Sequence, residues 1–360
     1  MRVGDFYAGA GGLSQGLKEA GVKVTVAVDC WKPALATHEA NHPDAEHILA
    51  RMEDLDPSTI GRLDVAVGGP PCPEFSVANK HRDPKKGMVL VNRFLDFIEA
   101  TRPRVWFMEN VPPAREYLPG WIPAVNVLNA ADFGVPQVRR RVIAGAYVPP
   151  HPTHSDIAAE SRQARLEGAA FRLRPWVTVR EAIGAAPVPG APRPPRLTPA
   201  QVARMRYLRG AKPKSLGKNP DGEMRFPDAV DRPSRVITGL AGTVSRGGVV
   251  VDERELYGAD ERRMIDDVDR PARTIVIGGG GKKGGGGRPP RISSAFGKPG
   301  PADPGASHRN LSVEECAALQ GFPRDYVWTG STTSRYKQVG NAVPPPLARA
   351  IAAASIKEAP

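Results

Sequence analysis

Cysteine is scarce in this sequence, and Cys30, Cys72 and Cys316 are the only three in 360 residues. Their wide separation fits neither a metal site nor a disulfide framework, so we expect no metal and a reducing compartment. The chain also lacks a long apolar run, and its charged, glycine-rich start is typical of neither a signal nor a transit peptide. These absences exclude a membrane-spanning or disulfide-stapled protein and predict a cytoplasmic one.

Acidic residues are outnumbered, and the basic excess is concentrated in one part of the chain. There are 50 Lys and Arg against 38 Asp and Glu, which gives a net charge of +12. Residues 1–150 carry no net charge, whereas residues 151–310 carry +11. A neutral half beside a basic segment is the electrostatic pattern of a protein that binds nucleic acid, and the length predicts two domains.

The start of the chain predicts a cofactor site. A strand-like run at 3–7 leads into a turn with glycines at 9, 11 and 12, then into a helix, and a second strand at 22–28 ends in Asp29. A strand, a glycine turn and a helix N-terminus let the backbone approach the polar groups of a ligand. An acid in the position of Asp29 suits ribose hydroxyls. The turn lacks a clean G-x-G-x-x-G, and the glycines alone leave a nicotinamide-dependent enzyme open.

Two chemically reactive residues follow two further strand-like runs. Cys72 lies in the Gly-Gly-Pro-Pro-Cys segment after 65–67, and Glu109 follows 105–108, 37 residues after the cysteine. Ligands bind at the carboxyl ends of parallel strands, so a thiol and a carboxylic acid could meet there across one pocket. A lone cysteine is more often a small buried apolar residue. The two segments together with the glycine turn nevertheless indicate an active site.

In their order along the chain, these segments resemble the C5-cytosine DNA methyltransferase family. The resemblance covers about 1–150 and 308–355. The segments that carry it are Asp5-Phe6-Tyr7-Ala8-Gly9-Ala10-Gly11-Gly12, Pro70-Pro71-Cys72, Glu109-Asn110-Val111, Gln137-Val138-Arg139-Arg140-Arg141, Leu319-Gln320-Gly321-Phe322-Pro323 and Gln338-Val339-Gly340-Asn341-Ala342.

The resemblance implies an α/β fold with two domains. A doubly wound, Rossmann-like, AdoMet-dependent methyltransferase domain would comprise 1–183 and 306–360. An inserted target-recognition domain, mostly β and irregular, would occupy 184–305 and bind double-stranded DNA.

The implied reaction is methylation of carbon 5 of a flipped-out cytosine within a specific duplex DNA sequence, with S-adenosyl-L-methionine as the methyl donor. Carbon 5 is a poor nucleophile, and addition of the Cys72 thiolate to carbon 6 makes it enamine-like. Glu109 would act at N3. By the resemblance, Arg141 would contact O2 and steady Glu109, whereas Arg139 would contact the DNA backbone. The target base must leave the duplex to be reached.

The resemblance also implies the binding residues. Those expected to hold the cofactor are Asp5, Tyr7, Ala8, Gly9, Gly11, Gly12, Leu13, Asp29, Cys30, Asp54, Leu55, Pro71, Asn341 and Ala342. Those expected to contact DNA in the catalytic part are Ser76, Lys80, Arg82 and Gln137.

The middle segment contains an internal near-repeat. Residues 228–237 and 266–275 match at seven of ten positions, and each copy is followed by glycines. Glycines let a backbone approach a groove closely, and basic residues beside them contact phosphates. The basic residues concerned are Arg246, Lys282, Lys283 and Arg288. This arrangement resembles a target-recognition domain, and the alternative is a flexible linker.

One departure from the family pattern concerns residues 112–135, where a crossover helix is usual. Prolines at 112, 113, 119 and 123 exclude a normal helix, so the sheet near Val125 and Val127 should be thinly covered. Either a second subunit or the proline-rich linker that begins near 187 would cover it, which leaves a homodimer open. A tRNA cytosine methyltransferase and a catalytically silent AdoMet-binding DNA protein also stay open. If the chain modifies DNA in a prokaryote, a cognate restriction endonuclease would be its functional partner.

Overall fold

Seven strands of the computed structural model form one mixed sheet. The described residues are 1–76, 79, 81–156, 173–183 and 312–356, with short strands at 249–252, 272–273, 292–293 and 308–309. The first eight strands are β1 (Val3–Phe6), β2 (Val26–Asp29), β3 (Glu46–Leu49), β4 (Val65–Gly68), β5 (Val105–Asn110), β6 (Ala124–Asn129), β7 (Gln137–Val138) and β8 (Arg140–Ala146). The sheet order is β3-β2-β1-β4-β5-β8-β6, and β8 alone runs in the opposite direction to the other six strands. The strand order reverses between β1 and β4, which is where open α/β sheets bind ligands.

Helices cover both faces of this sheet. The described helices are α1 (Gly12–Glu19), α2 (Lys32–Asn41), α3 (Pro84–Thr101), α4 (Val179–Ile183), α5 (Val313–Leu319), α6 (Thr332–Asn341) and α7 (Pro345–Ile356), of which α4, α5 and α6 pack against one another in a separate cluster. On one face α1 and α7 share a core that includes Leu17 and Leu347, and on the other Phe94 and Phe97 of α3 pack against Phe6. The predicted doubly wound α/β fold is therefore confirmed. None of the described helices is both long and apolar enough to cross a bilayer.

The return of the chain to the N-terminal region depends on close helix packing. At Gly16 of α1, an added Cβ would lie 2.4 Å from the Cβ of Ala348 in α7. Only a residue without a side chain permits this approach. Residues from the two ends of the sequence therefore build one domain.

The segment after β5 contains no α-helix, as its prolines predicted. It forms a 3₁₀ helix at Pro112–Tyr117 and then β6, the edge strand of the sheet. Ala114 and Ile122 are buried and supply a thin layer over the sheet, while Val125 and Val127 remain half-buried. Trp121 is 62% exposed beside this edge. The sheet is thinly covered here because the chain continues as the edge strand β6 and not as a crossover helix.

The second strand is shorter than the sequence predicted. It begins at Val26 rather than Val22. The reason is that the Val22 N–H donates to the Leu17 carbonyl and so belongs to the turn after α1. Its side chain is nevertheless buried in the core.

The described residues after 150 include six short strands. They are β9 (His154–Ser155), β10 (Arg174–Pro175), β11 (Val249–Asp252), β12 (Ala272–Arg273), β13 (Ile292–Ser293) and β14 (His308–Arg309). β12 pairs in parallel with β7, with Ala272 opposite Gln137. The second copy of the near-repeat therefore meets the strand that leads into the arginines at 139–141.

Candidate active site

The loop that carries Cys72 is fixed from several sides. It follows β4, and the Asn110 side-chain amide donates to the Pro70 carbonyl at 3.1 Å. The backbone N–H groups of Phe75 and Ser76 both donate to the Cys72 carbonyl, which closes a tight turn. Phe75 is buried against Gly87 of α3, where an added Cβ would lie 2.6 Å from the ring. Cys72 is therefore presented by a rigid loop, half-buried at the carboxyl edge of the sheet.

A buried ion pair lies next to this loop. Glu109 is on β5 and Arg141 on the neighbouring β8, and Arg141 Nε lies 2.6 Å from Glu109 Oε1. Their side chains are only 11% and 7% exposed. Because both charges are desolvated, the loss of either one would leave the other buried without a counter-charge. Arg141 also donates from Nη1 to the Arg140 carbonyl, which fixes the guanidinium.

The Cys72 thiol shares this electrostatic environment. Burial raises its pKa and the Glu109 charge adds to that effect, whereas the Arg141 and Arg139 charges lower it. The protein alone therefore favours the protonated thiol, and the two arginines limit the cost of forming the thiolate. Cys72, Glu109 and Arg141 are brought together as the sequence predicted.

Arg139 is placed differently from the expectation of a DNA-backbone contact. It is 3% exposed, and its Nη2 donates to the carbonyls of Gly340 and Ala342 at 3.2 and 3.1 Å. Burial lowers its pKa to about 9, with the Arg141 charge acting in the same direction. This placement does not fit a phosphate contact, because the guanidinium faces the protein interior. Arg139 instead joins the arginine segment to the C-terminal end of α6.

The residues predicted to contact DNA include both exposed and buried side chains. Arg82 is exposed, which suits a phosphate contact, whereas Ser76 and Gln137 are buried. The Gln137 side-chain amide points to the Leu319 carbonyl, at 3.5 Å. This does not fit a direct DNA contact in the present conformation. Lys80 and the four basic residues of the middle segment, Arg246, Lys282, Lys283 and Arg288, lie outside the described residues.

The glycine turn after β1 is held by Asp29. One carboxylate oxygen accepts from the Gly9 N–H at 2.8 Å, and the other accepts from the Trp31 N–H at 2.7 Å. Gly9 and Gly11 have φ of 55° and 89°, values that favour glycine. An added Cβ at Gly12 would lie 2.2 Å from the Val343 carbonyl oxygen. The turn is thus shaped by its own glycines and by the segment that begins at the end of α6, where Asn341 is exposed and Ala342 is buried.

Asp5 lies beneath this turn, at the end of β1. It is completely buried, and its Oδ2 accepts a hydrogen bond from the Ser14 hydroxyl at 2.6 Å. Its Oδ1 has no partner among the described residues. Burial raises the Asp5 pKa to about 7. A buried carboxyl group without a counter-charge beneath a glycine turn suits a cationic ligand bound on that turn, on which it acts through its electric field because Asp5 itself is not exposed.

Other predicted cofactor residues lie around the same turn. Tyr7 adopts φ of 56°, which is strained for a residue with a side chain, and its hydroxyl donates to the Leu90 carbonyl at 3.0 Å. Ala8 and Leu13 are buried in the core. Cys30, Asp54 and Pro71 are exposed, and Leu55 is half-buried. Nothing in these positions contradicts a ligand contact, and no group of His, Cys, Asp and Glu in the described part of the chain could hold a metal.

A histidine cluster under the turn was not predicted. His38 lies on α2, His42 directly follows this helix and His47 lies on β3, with His38 completely buried. At Gly11 an added Cβ would lie 3.1 Å from atoms of both His38 and His42, and 2.7 Å from the Tyr326 hydroxyl. The i, i+4 spacing of the first two histidines is visible in the sequence, but their contact with the turn is not.

A cation–π contact at the edge of the site was also missed. The Lys337 ammonium lies 4.8 Å from the centre of the Trp31 ring. It links α6 to the residue whose N–H is held by Asp29. No sequence pattern joins positions this far apart.

Comparison with known proteins agrees with this geometry. The model of the family described as C-5 cytosine-specific DNA methylase matches residues 1–116 and 255–357. The chain belongs to this family. It is 30% identical to the type II methyltransferase M.AgeI of Thalassovita gelatinovora, over 98% of both chains. It is also 30% identical to the type II methyltransferase M.MthTI of Methanothermobacter thermautotrophicus, over 98% of this chain and 96% of that protein.

A solved structure supports the fold of this DNA methylase. A DNA modification methyltransferase encoded within an E. coli prophage superposes with a TM-score of 0.54, over 98% of both chains and at 19% identity. The protein is therefore a DNA (cytosine-5-)-methyltransferase, and its family is generally AdoMet-dependent. The resemblance expected from the sequence is confirmed.

Proposed function

We propose that the chain methylates carbon 5 of a flipped-out cytosine within one duplex DNA sequence, through a covalent bond between Cys72 and carbon 6. The observation that carries this proposal is the Cys72 loop beside the buried Glu109–Arg141 pair. A base held here would have a nucleophile, an acid and a cation within one desolvated pocket. Such a pocket cannot receive a base that remains stacked in a duplex.

Each residue of the pocket has a distinct role in the proposed reaction. The Cys72 thiol gives its proton to the Glu109 carboxylate, and the thiolate adds to carbon 6, which directs electron density to carbon 5. Glu109 passes this proton to N3, and Arg141 holds Glu109 and stabilises negative charge at O2. After methyl transfer the proton on carbon 5 passes to water, the thiolate is eliminated and N3 returns its proton to Glu109. Arg139, being buried, acts on the pocket through its charge.

We propose S-adenosyl-L-methionine as the cofactor, bound at the glycine turn between β1 and α1. Its sulfonium methyl group supplies the electrophile. Asp29 would hold the ribose hydroxyls, Asp54 the adenine amino group and Asp5 the positive end of the ligand. The support for this placement is the buried oxygen of Asp5 and the close packing of Gly12 against Val343.

Sequence recognition is assigned to the middle segment. The proposed division places the catalytic domain at 1–183 and 306–360 and the target-recognition domain at 184–305. The pairing of β12 with β7 supports this role, because it joins the second near-repeat to the arginine segment of the pocket. Lys282 and Lys283 would contact phosphates, and Arg246 or Arg288 would read a guanine edge.

The biological setting is proposed from the relatives. Those named above are type II methyltransferases of a bacterium and an archaeon, so a cognate restriction endonuclease is the expected functional partner and a prokaryotic cytoplasm the expected location. The exposed Trp121 and Tyr117 beside the edge strand β6 would suit self-association. Light scattering across a range of protein concentrations tests for a dimer.

The decisive experiment measures methyl transfer from labelled AdoMet to duplex DNA and to tRNA in parallel, followed by nucleoside analysis. The proposal predicts 5-methylcytosine in DNA at one sequence and no label in tRNA. Label in tRNA alone would favour the RNA alternative. Label on an exocyclic amino group would contradict the roles of Cys72 and Glu109.

A further inference from the structure

A chain of hydrogen bonds runs from Asp5 to the edge of the sheet. Ser14 Oγ lies 2.6 Å from Asp5 Oδ2, His38 Nε2 lies 2.8 Å from Ser14 Oγ, and His47 Nε2 lies 2.8 Å from His38 Nδ1. Asp5, Ser14 and His38 are buried, whereas His47 is half-buried on the edge strand β3. The chain therefore connects a fully desolvated carboxyl group with solvent through three links.

The direction of each hydrogen bond follows from the charge of Asp5. A carboxylate can only accept, so Ser14 must donate to it and must itself accept from His38 Nε2–H. His38 Nδ1 is then an acceptor, and His47 Nε2–H must be its donor. If Asp5 is protonated at Oδ2, every link reverses, and His47 carries its proton on Nδ1. The two arrangements have the same heavy-atom positions and differ by one proton.

The surroundings of this chain keep both histidines neutral. Burial lowers the His38 pKa to about 2, with the His42 and His47 charges acting in the same direction. His47 faces Glu39 on α2, which partly opposes the effect of burial on its pKa.

The other groups around the chain act at its two ends. His42 faces Lys18 on α1, Asp5 faces Asp29 on β2, and the buried hydroxyl of Tyr326 lies close to both Asp5 and His42. In the described part of the chain, no cationic side chain lowers the Asp5 pKa. The protein thus buries this carboxyl group with hydrogen bonds and without a counter-charge.

We propose that His38 and His47 are positioning residues for the cofactor site, which act through Ser14 to hold Asp5 as the carboxylate that a cationic ligand requires. This inference rests on the proposed use of AdoMet. In the free protein near neutral pH, Asp5 is partly protonated. When the ligand binds, each proton of the chain moves outward by one link, and one proton leaves from His47 Nδ1 to solvent. Asp5 becomes a carboxylate, and nothing is oxidised or reduced.

The test is the pH dependence of AdoMet affinity, measured by calorimetry on the full-length protein. Relative to Asp5→Asn, the wild-type Kd should be about tenfold weaker at pH 6 than at pH 9, because roughly one tenth of the protein carries ionised Asp5 at pH 6. The amino group of AdoMet itself titrates at ~8. Asp5→Asn retains only that ligand titration, and its profile is therefore the reference for the others.

A matched pair of variants at His47 separates the proposal from a structural effect. His47→Leu removes the donor to His38 Nδ1, so Asp5 should stay protonated to higher pH. The Kd at pH 7 should then weaken several-fold while the Kd at pH 9 matches the wild type. His47→Gln keeps an N–H donor and should restore the wild-type profile. Because His47 lies on an exposed edge strand, both variants should fold.

Three results would count against the idea in different ways. Equal weakening at every pH in His47→Leu would make His47 a structural residue and overturn the proposal. A wild-type profile identical to that of Asp5→Asn would show that no proton leaves Asp5 on binding. No binding of AdoMet at any pH would instead overturn the cofactor assignment.

Discussion

The catalytic pocket and the cofactor end of the sheet both bury ionisable side chains, but they treat charge differently. Glu109 is paired with Arg141 at 2.6 Å, and a second buried guanidinium, Arg139, lies nearby. Asp5 has no such partner and depends on Ser14 and two histidines. In the first region the carboxylate has its counter-charge within the protein. In the second it is left to be balanced by the ligand.

This difference suits the two tasks. The catalytic pocket must hold a fixed arrangement of charges while a neutral base enters, so its ion pair is complete beforehand. The cofactor end must bind a cation in preference to water. A buried carboxyl group without a counter-charge in the protein is stabilised as the carboxylate when such a cation binds. The predictions below test this contrast, from the largest expected effect to the smallest.

The largest effect is expected at Cys72. Cys72→Ser should reduce methyl transfer on the order of 10³-fold or more, because an alcohol is a far weaker nucleophile near neutral pH than a thiolate. DNA and AdoMet affinities should stay close to wild type, since the side chain is half-buried and nearly isosteric. Single-turnover methylation alongside binding titrations measures both. Substantial residual turnover would remove Cys72 from the mechanism.

Glu109→Gln should cost roughly 10²–10⁴-fold in the methylation rate, the range for removal of a general acid. The amide still accepts a hydrogen bond from Arg141, but it leaves that cation without a counter-charge. Glu116→Gln, an exposed change in the 3₁₀ helix after β5, is the matched control and should be neutral. A rate close to wild type for Glu109→Gln would contradict its role at N3.

Substitutions of the neighbouring Arg139 and Arg140 should have different effects, the first on stability and the second on DNA binding. Arg139→Met leaves two carbonyls without a donor and should lower the free energy of unfolding by ~1–3 kcal/mol for each, with the salt dependence of DNA binding unchanged. Arg140→Ala, at the exposed position beside it, should instead lower the salt slope by about 1 and leave stability intact. Denaturant unfolding and binding across salt concentrations distinguish them. A lower salt slope with unchanged stability in Arg139→Met would instead indicate that Arg139 contacts the DNA backbone.

The smallest effect concerns pH and the histidine cluster. The pKa of buried His38 is about 2, below that of an unfolded histidine, so the unfolded state binds more protons as the pH falls below ~6.5. The contribution of neutral His38 to the free energy of unfolding is therefore complete above pH ~6.5 and decreases progressively as the pH falls below that value. His38→Phe should reduce the slope of unfolding free energy between pH 6.5 and 4 by at most about 1.4 kcal/mol per pH unit. An unchanged slope would mean that His38 is not buried in solution.

Much of the catalytic pocket could be predicted from the sequence, whereas the arrangement of charge at the cofactor end could not. Cys72 and Glu109 each follow an apolar strand and lie within short motifs, so their meeting at one sheet edge follows from topology. The absence of a crossover helix after β5 follows from its prolines. These features depend on local sequence and on one general rule about parallel sheets.

The rest depended on contacts between distant positions. Arg139 and Arg141 look alike in the sequence, and only packing against residues 340–342 shows that the first one is buried. The link from His38 to Asp5 requires a side chain from each of two helices and a strand. Proline and glycine set local backbone geometry, whereas the burial of a polar side chain depends on what the folded chain places over it.

The central claim is that Cys72 bonds to carbon 6 of the target cytosine. The most direct test offers the protein AdoMet and duplex DNA that carries 5-fluorocytosine at the target position. Fluorine cannot leave as a proton, so elimination of the thiolate should be blocked. The account predicts a stable adduct that maps to Cys72 by mass spectrometry and is absent in Cys72→Ser. Methylation of ordinary DNA without any trapped adduct on the fluorinated DNA would contradict it.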